Sequence, residues 1–468
     1  NDNAHVPAQE TTYWCKLIKL PVFNDTHHIV KAAPVISPGS EPIIHHMLTY
    51  ACPRHLAESP DNTYLDGPCD NWDWEQPATR CQAGGINYAW AVGGNALYYP
   101  EEAGMPISGD SDLQYVILQI HYNNPQKTAG YIDSSGIRVW HTPTLRQYDA
   151  GLISIGTSVN PYGQFIPPGI DWTRNSGFCT SDCTSAGITG DDVTDGTVYA
   201  FASLLHAHTV AVALNLQQIR DGQELSNIDQ NWHYDFNYQQ TIIFDELKEI
   251  RAGDEFIMNC YINSTTRDWI TMGGESTTQE MCLAFIYVYP APDLAICWTD
   301  FSDPSLDQWL YDAQDAGYLD GNLSQAIDGW NWDQLSWDDQ GDAKAAEDFY
   351  NELWNPDNSR YNTFYERCTT ENGTWLFPKT IDGISHKIPT DFTPYHDNSY
   401  DCNATNVGPI SPSVTVTVNT GLLIAIIAAS IIVTITILVV LLKCVCARKR
   451  GGWGQGHELG NYGKLQNV

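Results

Sequence analysis

Positive charge is what this 468-residue chain has least of. It carries 23 Lys and Arg against 56 Asp and Glu, a formal net charge of −33. A phosphate backbone needs a basic face, so nucleic-acid binding is excluded. From residue 298 to 343 there is no Lys or Arg at all. Such an acidic chain suits a secreted or lumenal protein kept soluble by self-repulsion. Several signatures are also missing. No H-E-x-x-H and no pair of C-x-x-C motifs occurs, which argues against zincin and zinc-finger chemistry. No internal repeat is found, and the first 145 residues show no helical periodicity. The chain opens on Asn1 without a charged-then-apolar leader, as expected of a mature product or a fragment.

Cysteine, by contrast, is plentiful. Thirteen cysteines point to an oxidising compartment. Five N-x-S/T sequons agree, at Asn24, Asn263, Asn322, Asn372 and Asn403. Residues 421–442 are uncharged and strongly apolar, long enough to cross a bilayer as a helix. Lys443, Arg448, Lys449 and Arg450 follow. The positive-inside rule then makes the tail cytoplasmic and the bulk of the chain extracellular or lumenal, a single-pass type I arrangement. Cys444 and Cys446 at the membrane edge are either palmitoylated or reduced thiols.

Short apolar or alternating runs, separated by Gly, Pro and Asn, fill the first 300 residues. The fold class expected is all-β: two tandem antiparallel β-sandwich domains over residues 1–148 and 149–298. An acidic, aromatic-rich appendage follows at 299–406, then a stalk at 407–420, the membrane helix at 421–442 and a tail at 443–468. The turn-rich run 181–196 reads as a loop. Short helices are expected at 303–310, with Asp303 as N-cap and Pro304 first in the helix, and at 343–354.

Chemistry concentrates in the run Leu204-Leu205-His206-Ala207-His208, which with its neighbours to residue 212 reads as a strand. Alternation puts His206 and His208 on one face, well placed to share a metal. His45-His46 are adjacent, so both reach one ion only where the strand bulges. His27-His28, another such pair, reads as exposed loop. Gln119 and His121 share a face, and Met281 shares one with Leu283, Phe285 and Tyr287. A lone Met in a strand is usually core filler. A thioether beside two imidazoles, however, selects copper cycling through Cu(I); three imidazoles hold copper or zinc.

His45-His46-Met47, Leu118-Gln119-Ile120-His121-Tyr122, His206-Ala207-His208 and Glu280-Met281-Cys282 resemble, in order and spacing, the motifs of the copper type II ascorbate-dependent monooxygenases. Thr12-Tyr13-Trp14-Cys15, Tyr88-Ala89-Trp90 and Ile166-Pro167-Pro168-Gly169 extend the resemblance over residues 11–297. It implies jelly-roll-like sandwiches holding two coppers, with ascorbate as electron donor and O₂ as co-substrate. His45, His46 and His121 would hold an electron-donating copper. His206, His208 and Met281 would hold the oxygen-activating copper, with Gln119 near the cleft that the electron crosses. The product would be a hydroxylated small molecule. The resemblance also implies the disulfides Cys15–Cys69, Cys52–Cys81, Cys179–Cys297, Cys183–Cys368 and Cys260–Cys282. Cys402 is left over, either free, paired upstream of Asn1 or bonded to another chain.

The departures bear on substrate. The family's peptide-amidating branch has Arg where this chain has Leu204, and Asn and Tyr where it has Leu283 and Phe285. A buried peptide carboxylate would lack its partner, so peptide amidation is disfavoured. The dopamine β-monooxygenase-like branch is the better match, through Cys183. The rival reading is a non-enzymatic, membrane-anchored surface glycoprotein that retains the fold. Complete ligand motifs favour the enzyme, because a relic has no need of a soft Met beside two imidazoles.

Overall fold

The computed structural model describes residues 1–376 and 385–387, apart from positions 74, 84, 110–112, 330, 355–357, 359, 362, 371 and 372. The described residues all lie within one compact unit.

The β-rich sequence folds into two pairs of facing sheets. In the first pair, one sheet runs in the order Asp66–Pro68, Thr11–Lys19, Tyr115–Asn123, Ile44–Ala51 and Ile86–Ala91. The other is built on His27–Val35, flanked by Gly136–Thr142 and Ala103–Ile107. In the second pair, a seven-stranded sheet has Thr197–Ala207, Cys282–Tyr289 and Gly151–Thr157 adjacent, and a five-stranded sheet has Glu255–Ile262 between Thr173–Cys179 and Ala211–Arg220. Pairing is mostly antiparallel; Gly151–Thr157 with Leu294–Phe301 and Tyr148–Asp149 with Ala103–Ile107 are parallel exceptions.

Cys282–Tyr289 shows how one strand serves two cores. All eight residues are buried. Cys282, Ala284, Ile286 and Val288 fill the core of the second sandwich. Leu283, Phe285, Tyr287 and Tyr289, with Met281 just before them, pack into the core that belongs to the first. Alternation along a strand requires this split. The consequence is that the two sandwiches meet through an apolar face rather than across solvent. Tyr287 fastens the contact: its hydroxyl accepts from Ala89 N at 2.8 Å and donates to Ala89 O at 3.1 Å.

Among the described residues five disulfides join Cys15–Cys69, Cys52–Cys81, Cys179–Cys297, Cys183–Cys368 and Cys260–Cys282. The appendage is not merely tethered. Its strand Thr363–Thr370 extends the seven-stranded sheet, with Cys368 opposite Cys297. Its aromatics form a third core, in which Trp309 is fully buried against Phe165. The helix Asp303–Asp315 begins one residue earlier than expected: Ser302 is the N-cap and Pro304 lies in the first turn. Asp342 caps Ala343–Asn351 by accepting from Ala345 N.

Two expectations fail here. Residues 181–187 form a helix, because Thr180 caps it and Cys183 pins it, so its Ser and Thr content misleads. His28 is a buried strand residue whose Nε2 lies 2.8 Å from Asp149 Oδ1. Arg146 N donates to its Nδ1, so the proton on Nε2 points at the carboxylate. His27, in the same strand, faces His141 with its Nδ1. Asn24 and Asn322 are exposed and Asn263 is half-buried. Asn372, Asn403, Cys402, Cys444, Cys446 and residues 407–468, with the stalk, membrane span and tail, lie outside the described residues. Among the described residues no helix is long and apolar enough to cross a membrane.

Candidate metal centre

The adjacent histidines reach one point because the strand bulges. Ile44 pairs with Tyr122 but His46 with His121, so the register shifts at His45, the extra residue. His45, His46 and His121 are all buried, and their ligand nitrogens lie within 4.8 Å of one another. The nitrogens that face inward are Nδ1: His46 Nδ1 is 3.4 Å from that of His45 and 3.3 Å from that of His121.

The outward nitrogen of His45 identifies its tautomer. His45 Nε2 lies 3.0 Å from the carbonyl of Phe236, whose ring stacks on it at 3.8 Å. A carbonyl only accepts, so the proton sits on Nε2 and the Nδ1 lone pair points inward. His121 Nε2 meets Thr277 Oγ1 at 3.0 Å, while Tyr13 stacks on its ring at 4.5 Å.

The second pair is arranged the other way round. The strand carrying His206 ends at Ala207, earlier than expected, and residues 208–210 carry the chain across to the other sheet. His206 stands opposite Leu283 and Ala207 opposite Cys282. His208 and Met281 are the next same-face positions past the two strand ends. The carboxylate of Glu280 secures that junction, with Oε1 accepting from both His208 N and Met281 N and Oε2 from Val210 N at 3.0 Å. Burial pushes this carboxyl up to about 7 against those three donors. His206 Nδ1 faces Gln239 Oε1 at 2.5 Å, and Gln239 Nε2 donates to Phe236 O at 2.8 Å, which fixes the amide's orientation. His208 Nδ1 faces Gln279 O at 3.1 Å. Both protons are therefore on Nδ1, and the Nε2 lone pairs remain. His208 Nε2 is buried without a hydrogen-bond partner among the described residues.

This donor set fits copper. The outer nitrogens of His45, His121, His206 and His208 face carbonyl, hydroxyl or amide oxygen, the usual support of a ligating imidazole. The Nδ1 atoms of the first set converge, and the buried Nε2 of His208 has no hydrogen-bond partner among the described residues, an unfavourable state that a bound cation relieves. Burial holds the imidazoles neutral: His45 is pushed down to about 3, His206 to about 4, and His46, His121 and His208 well below their ordinary value.

The two groups touch. His46 and His206 rings are 5.3 Å apart and those of His121 and His208 6.3 Å. Gln119 lies elsewhere on the strand face, with Oε1 accepting the Tyr50 hydroxyl at 3.3 Å. Sequence reasoning missed Phe236, Gln239, Thr277 and the role of Glu280. The only advance signal was position: Glu280 precedes Met281, and the other three lie in polar, turn-rich loops.

Both halves of this centre match family models. Residues 1–129 match the copper type II ascorbate-dependent monooxygenase N-terminal domain, and residues 148–309 its C-terminal domain. The chain is 36% identical over 297 residues to DBH-like monooxygenase protein 1 of Gallus gallus, covering 64% of this chain and 47% of that protein. It is 34% identical over 295 residues to human dopamine beta-hydroxylase, 63% of this chain and 46% of that one. With tyramine beta-hydroxylase of Caenorhabditis briggsae the identity is 33% over 350 residues, 74% and 56%. The chain thus spans about half the length of the curated relatives it matches. With the two domain models matched in order across the histidine centre, the chain belongs to the copper type II ascorbate-dependent monooxygenases, whose cofactors are copper and ascorbate.

Proposed function

We propose that this chain is a dicopper monooxygenase that hydroxylates an aliphatic or benzylic C–H of a small molecule. The overall change is R–H plus O₂, two electrons and two protons to R–OH and water, with ascorbate supplying the electrons. His45, His46 and His121 would hold the electron-storing copper, and His206, His208 and Met281 the oxygen-activating one. Bound copper supplies one-electron redox chemistry and dioxygen activation, the thioether favouring its reduced state.

The carrying observation is the complementary orientation of the imidazoles: Nδ1 inward in the first set, Nδ1 anchored and Nε2 left over in the second. The chain's own residues do the rest. The five rings stay neutral through burial, so their lone pairs are available without a competing proton. Phe236 and Phe285, against His45 and near His206, keep water from the centre. Leu204, Leu283 and Phe285, all buried, make an apolar wall with no cation for a peptide carboxylate. Such a wall suits the aromatic or aliphatic body of a small substrate, in keeping with the relatives named for dopamine and tyramine.

The same reading includes glycosylation at the sequons, a lumenal or extracellular catalytic unit, and a membrane anchor at residues 421–442. Copper analysis and ascorbate-dependent oxygen uptake on the purified chain test it. Two coppers per chain and ascorbate-coupled oxidation of a C–H substrate are expected. A chain that binds no copper and takes up no oxygen over a panel of amines, phenols and peptides would instead be the non-enzymatic glycoprotein.

A further inference from the structure

Between the facing sheets of the first sandwich lies a cavity of about 160 Å³. Ile18, Val116 and Leu118 wall it from one sheet, and Ile29, Met105 and Ile107 from the other. It opens past Pro21, Val139 and His141, which are exposed. One feature of the lining is out of place in an apolar void. Asn87 is 5% exposed, its Oδ1 accepts the Thr49 hydroxyl, and its Nδ2 has no hydrogen-bond partner among the described residues. Thr49 and Asn87 both line the cavity. A buried amide N–H₂ left unpaired is unfavourable and rare. Water would need two to four polar partners here, and the surroundings are almost wholly hydrocarbon.

We propose that this cavity is a binding site for a neutral, single-ring apolar molecule bearing one carbonyl or ether oxygen. A dry cavity of about 150 Å³ admits benzene, so the size fits one ring. Burial of that ring supplies the affinity. The oxygen accepts from Asn87 Nδ2 and supplies the orientation. The site is separate from the histidine centre, since none of its lining residues is a candidate copper ligand.

The five methionines make the test local. Met105 lines the cavity, and Met281 reports on the candidate copper centre. The full chain, labelled with ¹³C-methyl methionine and held reduced and anaerobic so that no turnover occurs, is titrated with acetophenone and with ethylbenzene. Ethylbenzene keeps the ring and the two-carbon chain of acetophenone but lacks its carbonyl oxygen. The Met105 methyl should shift saturably, with acetophenone binding about fivefold tighter, the worth of one hydrogen bond. The Met281 methyl should stay where it is at the concentrations that saturate Met105. Asn87→Leu should erase the difference between the probes. Ala32→Leu, which fills the cavity from a lining position, should abolish the Met105 shift. A Met105 methyl unmoved by either probe up to its solubility overturns the site. Equal affinity of the two probes for the unsubstituted chain overturns the role of Asn87. Because the unsubstituted chain gives both answers, neither depends on a variant folding.

Discussion

The two histidine sets differ in where their support comes from. The three-His set sits wholly on the first sandwich, yet two of its outward nitrogens are held by the second, through Phe236 O and Thr277 Oγ1. The His206, His208 and Met281 set is anchored within its own sandwich, by Gln239, Gln279 and Glu280. Metal sites depend on such outer partners for ligand orientation. The first set is therefore completed only when the sandwiches meet, whereas the second is complete in its own domain. Gln239 is linked to both through Phe236 O, the carbonyl that faces His45 Nε2 and accepts from Gln239 Nε2 at 2.8 Å.

Removing a ligand should produce the largest contrast. Met281→Ala takes the soft donor from the second set and removes no candidate ligand of the first. Hydroxylation should fall to background while one copper per chain remains, bound with the X-ray absorption signature of imidazole alone. Loss of both coppers would mean that the sets are not separate. Glu280→Ala comes next. It leaves three buried amide donors without an acceptor, at a cost of about 1–3 kcal/mol each. Thermal unfolding should move down by several degrees. Metal at the His206 side should weaken while the three-His set keeps its affinity at temperatures where the chain is folded. Equal weakening at both would show that Glu280 serves the whole interface.

Thr277→Val probes the support lent across the domains. The change keeps the shape and deletes the oxygen facing His121 Nε2. Affinity at the three-His set should fall by about ten- to a hundredfold, the range for lost outer partners. Affinity at the second set should hold, and a chelator titration resolves the two. An unchanged first set would show that domain contact lends it nothing.

Much of this was legible in the residues, for identifiable reasons. Adjacent histidines need a bulge to share an ion, and one is there at His45. Alternation put Met281 with Leu283 and Phe285, and the cores divide that way. What escaped depends on contacts distant in sequence. Phe236 and Thr277 matter because two domains close on each other, 191 and 156 positions from the histidines they hold. His28 looked like loop because polar neighbours mask a strand, and only Asp149 explains its burial. The helix at Ser181–Gly187 owes its existence to a cap and a disulfide rather than to propensity.

The smallest expected effect concerns protons, and it separates the two sets once more. An exposed imidazole with a pKa of about 6.5 would be about 90% protonated at pH 5.5, so three of them would cost roughly a thousandfold in metal affinity. Here burial lowers all five rings, with His45 at about 3 and His206 at about 4. Copper affinity should therefore change by less than about threefold between pH 7.5 and 5.5. The sign for the metal-free chain follows from the same shifts. Between about 6.5 and these lowered values the unfolded chain binds protons that the folded one refuses, so stability falls as pH falls through that window. Glu366 works in the opposite sense. Burial raises it to about 7, so the folded chain holds a proton there that the unfolded chain releases above about 4.5, and its contribution fades as pH rises. As pH approaches 4, His206 takes up its proton before His45, and the second set should release copper first. Competition with a Cu(I) chelator across this range reads the order directly. Release from the three-His set first would mean that the support it draws from the other domain fails before its own rings titrate, and the comparison would then turn on domain contact rather than on burial.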